Sequence, residues 1–196
     1  MLYIMFVLAL INLFGSGLSV LLPQIVTNTY KSGASLLGAV ESVQGIGILG
    51  GSVILLFWGG PKNRVAGILG GLFLGAIFQI AAGLSPFSTV FVGAIGLAVT
   101  SWIIVNTLLT TLIQETFSQG VLGRLFAFRG CVEQFTWPIS SFLAGILAPA
   151  LIQANLLLAL GGLLSLISLV IVCCIPSVWL KQKNPGRGGA ATQKGE

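Results

Sequence analysis

The chain has 196 residues, of which 56% are hydrophobic and only 7% charged, with nine basic and four acidic side chains giving a net charge of +5. Soluble domains carry roughly 25% charged residues to cover their surface, so this composition excludes an ordinary water-exposed globular fold and points to a chain that faces lipid. It contains no Asp and no His, which excludes a His-based catalytic triad and an imidazole metal site.

The hydrophobic stretches are continuous rather than alternating. They therefore read as helices and not as strands of a membrane barrel. In chain order, a first span is expected over 2–26, followed by a polar gap containing Lys31. A second covers 34–58 and ends at the tight turn Gly59-Gly60-Pro61-Lys62-Asn63-Arg64. A third covers 65–84 and a fourth 89–113, separated by Ser85-Pro86-Phe87-Ser88. The longest internal polar gap runs over 114–124. A fifth span covers 125–152, and a sixth ends near Leu180. The expected fold class is all-α integral membrane, with six transmembrane helices in residues 1–180 and a basic, Gly-rich, disordered tail over 181–196. The apolar start lacks the basic leader and small-residue cleavage site of a secretory signal.

An even number of spans puts both termini on one side. On that side lie Lys62, Arg64, Arg124, Lys181, Lys183, Arg187 and Lys194, with Arg129 just inside the fifth span; only Lys31 falls on the other. Basic residues in short loops stay cytoplasmic, so both termini are expected in the cytoplasm of a multi-pass plasma-membrane protein. The basic residues sit in short gaps without aromatic interleaving, which reads as topology and not as nucleic-acid binding. Cys131, Cys173 and Cys174 lie in apolar stretches with no CxxC spacing, and read as small apolar side chains. No catalytic residue, metal or cofactor is implied, and the chain is not expected to be an enzyme.

Small residues mark helix contacts. Gly67, Gly71 and Gly75 recur every four residues in the third span, and Gly47 and Gly51 do so in the second, a spacing that lets backbones approach closely in lipid. Ionisable side chains inside spans are costly and usually face the protein interior or a water path. Glu41 and Gln44 share one face of the second span, with Glu41 about 10 Å inside its outer edge. Arg129 and Glu133 are spaced to pair along the fifth span, next to Gln134, and Pro138 removes a backbone bond one turn later, which favours a kink or weak point. Glu41 and Glu133 are the proton-coupling candidates. Glu133 also has a structural reading as the partner that neutralises Arg129. The fourth span carries Thr100, Ser101, Asn106, Thr107, Thr110 and Thr111, and the first carries Asn12. Asn12, Gln44, Asn106 and Gln134 are the candidates for a substrate path. Spans one, two, four and five thus form a polar lining set, and three and six an outer set.

Three stretches resemble the C-terminal half of a major facilitator superfamily transporter, closest to the macrolide, siderophore and multidrug exporter branch. The first runs from Gly45-Ile46-Gly47 to Gly59-Gly60-Pro61-Lys62-Asn63-Arg64 and is similar to the family's cytoplasmic loop motif, with Lys62 and Arg64 matching its basic part and no Asp present. The second is Gln114-Glu115 with Gly123-Arg124-Leu125-Phe126. The third is Glu133-Gln134 with Pro138 and Ala144-Gly145. The resemblance implies a half-bundle whose helices one, two, four and five face a cavity, a set that the polarity of the spans also selects. It further implies proton-coupled export of a small amphipathic substrate. One six-helix half has one wall of such a cavity, so the expected partner is an N-terminal six-helix half or a second copy of the chain. Phe128, Phe135 and Trp137 are aromatic side chains available to stack on a substrate. Two other readings stand. One is a six-helix transporter acting as a homodimer, to which Leu22-Pro23-Gln24 lends a single similarity with the Pro-Gln motif of repeat-built sugar transporters. The other is a non-transporting membrane subunit or assembly partner, which has no need for glutamates within its spans.

Overall fold

The computed structural model describes residues 22–117, 119–150 and 162. All regular structure among them is helical. A π-helical turn, Ile25–Thr29, closes the first expected span. It is followed by α1 (Ala34–Trp58), α2 (Arg64–Leu84), α3 (Ser88–Thr116) and α4 (Gln119–Ala150). Asn12, most of the first span, the sixth span apart from Gly162, and the tail lie outside the described residues. Among the described residues, three helices, α1, α2 and α3, are long and apolar enough to cross a membrane.

Local chemistry sets the helix ends. Helix α1 stops at Gly59, which takes a left-handed conformation (φ 69°) and donates its N–H to Leu55 O at 2.8 Å; Gly60 is also left-handed (φ 79°). An L-residue in that conformation is strained, and a glycine is not. Pro61 then prevents the helix from resuming. Asn63 caps α2, its side-chain oxygen accepting from the N–H of Ala66 at 3.2 Å, which satisfies one of the free amides of the first turn.

The structure departs from the sequence expectation between α3 and α4. The polar gap expected over 114–124 is mostly helix, since α3 runs on to Thr116 and α4 starts at Gln119. Gln114, Glu115 and Arg124 are polar but helix-compatible, so the hydropathy drop marks where apolar sequence ends and not where the helix does. Helix α4 also continues on both sides of Pro138. The proline deletes one backbone donor and the remaining turns hold.

Helix α3 is the centre of the bundle. It packs along both α1 and α2, and meets α4 over a small area. One apolar cluster joins Leu22, Ile25, Val40, Ala82, Phe91, Ala94 and Ile95. Tyr30 seals it: its ring lies 5.1 Å from that of Phe91, and its hydroxyl donates to Ser85 O at 2.7 Å. Burial pushes the Tyr30 phenol above its ordinary value, against the opposing effect of the Ser85 hydrogen bond. A second cluster, Leu109, Ile113 and Leu125, with Ile68 and Phe126 packed against it, joins α3 and α4 to α2.

The glycine spacings read from the sequence correspond to close approaches. A Cβ on Gly47 would stand 2.7 Å from Gly96 O, and one on Gly71 would stand 2.5 Å from Val105 Cγ2. The Thr100 hydroxyl crosses the α1–α3 contact, 3.2 Å from Gly47 O and 2.9 Å from Gly96 O. A Cβ on Gly162 would stand 2.7 Å from Ile80 Cγ1 and 2.9 Å from Ala76 O of α2, so this one residue of the sixth expected span lies against the third. Large apolar side chains such as Leu49, Leu56, Phe57 and Phe142 lie exposed on the outside, as expected of a surface solvated by lipid.

Candidate functional site

A single arginine organises the polar interior. Arg129 lies at the end of the third turn of α4 and is only 8% exposed. Its Nε donates to Glu133 Oε1 at 2.8 Å, the i,i+4 pair expected along one helix face. Its Nη1 donates to Thr110 Oγ1 at 2.9 Å, and its Nη2 donates to Asn106 Oδ1. Thr110 passes its own hydroxyl hydrogen to Asn106 O at 2.8 Å. The guanidinium therefore has a bond from each of its three nitrogens, and two of them cross to α3. Asn106 lies ten residues from the end of α3, or about 15 Å along it, well inside an apolar helix. An ionised group there requires compensation, and the neighbouring carboxylate and neutral oxygens supply it.

Arg129, Glu133 and Asn106 are thus brought together. Gln134 and Pro138 are exposed on other faces of α4. Glu41 is exposed and Gln44 half-buried on α1. Neither Glu41 nor Gln44 joins the Arg129 cluster among the described residues. Phe128, Phe135 and Trp137 are exposed.

At the opposite end of the α1–α2 turn from Gly59, the loop motif forms a second charged site. Arg64 donates from Nη1 to Gly59 O at 2.9 Å and from Nη2 to Glu115 Oε1 at 3.2 Å. It links the end of α1, the start of α2 and the end of α3, while Lys62 and Arg124 are exposed and Gly123 lies in the first turns of α4. The absence of Asp from the motif gave no reason to expect an ion pair here, yet Glu115 provides one from another helix. The side chains of Arg64 and Glu115 are 24% and 51% exposed, and such pairs contribute about 0–1 kcal/mol. Replacing Glu115 by Gln is therefore expected to change thermal stability in detergent by less than about 1 kcal/mol; a much larger loss would mean that Glu115 has a further role in the fold.

The sequence reading missed Thr110 as a ligand of Arg129. Its spacing of four from Asn106 was an available signal, because it puts two side-chain oxygens on one face of α3. It also missed the Tyr30–Ser85 bond, for which no local spacing exists. No protein-family model, curated protein or solved structure matches the chain, so the site is read from its own geometry.

Proposed function

We propose that the chain is a six-helix half of a secondary transporter of the major facilitator type, exporting a small amphipathic molecule in exchange for protons across the plasma membrane. On this reading both termini are cytoplasmic, the chain is not an enzyme, and it works with an N-terminal six-helix half or with a second copy of itself. The observation that supports it most is the Arg129–Glu133–Asn106 cluster, whose guanidinium is buried between α4 and the apolar helix α3. A charged side chain among apolar helices is costly and is typically kept for a substrate or ion path. A passive anchor has no use for it. Glu133 is the side of the cluster open to exchange, since its side chain is 34% exposed. Glu41 supplies a second carboxylate on α1.

The test is efflux of a fluorescent amphipathic dye from cells lacking their own exporters, with the chain expressed alone and together with a candidate N-terminal half. Glu133→Gln and Glu41→Gln are compared with the wild type at equal membrane abundance. At least one variant is expected to fall to the empty-vector level while remaining folded. Efflux unchanged in both variants would remove the carboxylates from coupling. No efflux from the wild type in either setting would favour the assembly-subunit reading.

A further inference from the structure

We propose that the outward face of α4 is where a second copy of this chain docks, with the two α4 helices side by side and the two Gln134 amides bonded across the contact. The inference rests on reading α4 as a membrane span, and it chooses between the two partners that the transporter reading allows.

The face follows from spacing along one helix. Ala127 and Gln134 are seven residues apart, as are Cys131 and Pro138, and Pro138 and Gly145; all five are exposed on the side of α4 opposite the buried Arg129. Phe128, Phe135 and Phe142, again seven apart, are exposed along one edge of that line. A line of mostly small side chains beside an aromatic ridge puts a groove and its filling on the same helix. A repeat of seven keeps such a seam against a neighbouring helix along its length, and small residues let two backbones approach closely in lipid.

Lipid alone is a poor cover for this face. Gln134 lies near the middle of α4, and its exposed amide has no hydrogen-bond partner among the described residues. Its backbone carbonyl is short of a donor as well. The helical partner of Gln134 O would be the N–H of residue 138, and that residue is a proline, which has none. Hydrocarbon satisfies neither group, whereas a neighbouring helix can satisfy both. That neighbour must bring a donor and an acceptor at the depth of Gln134, and a face smooth enough to come close. A second copy inserted in the same orientation meets all of these conditions about a twofold axis along the membrane normal, where the same patch faces itself. Each Gln134 amide then donates to an oxygen of Gln134 in the other copy, and each aromatic ridge lies beside the groove of the other. Arg124 falls on the same line, in the second turn of α4. On the transporter reading that turn lies at the cytoplasmic surface, where water and salt screen the like charges.

The native Cys131 reports the contact, since it is exposed on this line three residues before Gln134. The full chain carrying Cys173→Ser and Cys174→Ser is expressed in cells, and the membranes are treated with copper phenanthroline, which oxidises two thiols that meet to a disulfide. A dimer linked through Cys131 is expected. Leu49→Cys, on an exposed position of α1 and in a Cys131→Ser background, is expected to give about fivefold less dimer or below, because a disulfide forms only where two cysteines come close. Gly145→Leu is expected to cut the Cys131 dimer about fivefold or more by filling the groove. Its membrane abundance should not change, because a Cβ at Gly145 meets nothing within 4 Å in its own chain. Gln134→Leu is expected to weaken the dimer about threefold to tenfold, read by energy transfer between labelled copies as they are diluted in lipid. The proposal is overturned if Cys131 gives no dimer, if Leu49→Cys links as readily, or if Gly145→Leu links as well as the unsubstituted chain. Loss of the Cys131 dimer on co-expression of an N-terminal half would give the face to that half and overturn it too. A dimer as expected from a chain that drives no efflux would count against the transporter reading alone. Efflux together with an N-terminal half, and no Cys131 dimer, would count against this contact alone.

Discussion

Glu133→Leu is expected to destabilise the protein by about 3–5 kcal/mol, more than Arg129→Met and far more than the double variant. Removing Glu133 leaves the guanidinium, 9% exposed, as an uncompensated charge held by Asn106 and Thr110 alone. Arg129→Met leaves Glu133, which at 34% exposure can rehydrate or take a proton, so its cost is smaller, about 1–3 kcal/mol for the lost charged hydrogen bonds. Replacing both partners removes the unpaired charge altogether. Apolar replacement of a whole buried pair is often neutral or stabilising, so the double variant should recover most of the loss. Unfolding in mild detergent, followed by circular dichroism across the four proteins, reads the cycle directly. Additive losses would show that Arg129 and Glu133 do not depend on one another.

Gly47→Ala is expected to lower stability by about 1–3 kcal/mol, whereas Gly45→Ala and Gly50→Ala should be neutral or stabilising by up to about 1 kcal/mol. All three lie in α1, so helix propensity alone favours Ala at each. The difference is what the new methyl meets. At Gly45 and Gly50 nothing lies within 4 Å, while at Gly47 the methyl would stand 2.7 Å from Gly96 O and 3.2 Å from Thr100 Oγ1. A backbone carbonyl cannot rotate away, so α1 and α3 must separate, which also loosens the Thr100 contact with Gly47 O. Gly71→Ala should cost less than Gly47→Ala, because its nearest neighbour is the side-chain methyl Val105 Cγ2. The same detergent unfolding measurement checks the order; Gly47→Ala as stable as Gly45→Ala would show that the α1–α3 approach is not tight.

These two predictions mark what was legible in the sequence. The limits of α1 were readable to the residue, since Gly33 and the Gly59-Gly60-Pro61 run bound an uninterrupted apolar stretch. The glycine stripes and the Arg129–Glu133 pair were readable because both are properties of one helix at fixed spacing. The end of α3 and the start of α4 were not, because Gln114, Glu115 and Arg124 lower hydropathy without breaking a helix. The contacts of Arg129 with Asn106 and Thr110 depend on how α4 is rotated against α3, and the Arg64–Glu115 pair joins residues 51 apart. Spacing along one helix carries no information about either. The resemblance to a transporter half rests on the loop and the α4 residues quoted above. On α3 and α4 the polar residues Asn106, Thr110, Arg129 and Glu133 meet, while Glu41 and Gln44 on α1 stand apart from them among the described residues.

The most direct test of proton-coupled transport is proton movement by the purified chain in liposomes carrying a pH-sensitive dye inside. Wild-type chain, with its N-terminal partner where one is required, is predicted to dissipate an imposed pH gradient only when an amphipathic substrate is added, and Glu133→Gln is predicted to abolish that response. A gradient that stays intact with every substrate tested, in the presence of a folded chain and its partner, would contradict the account and leave the Arg129 cluster as a structural clasp between α3 and α4.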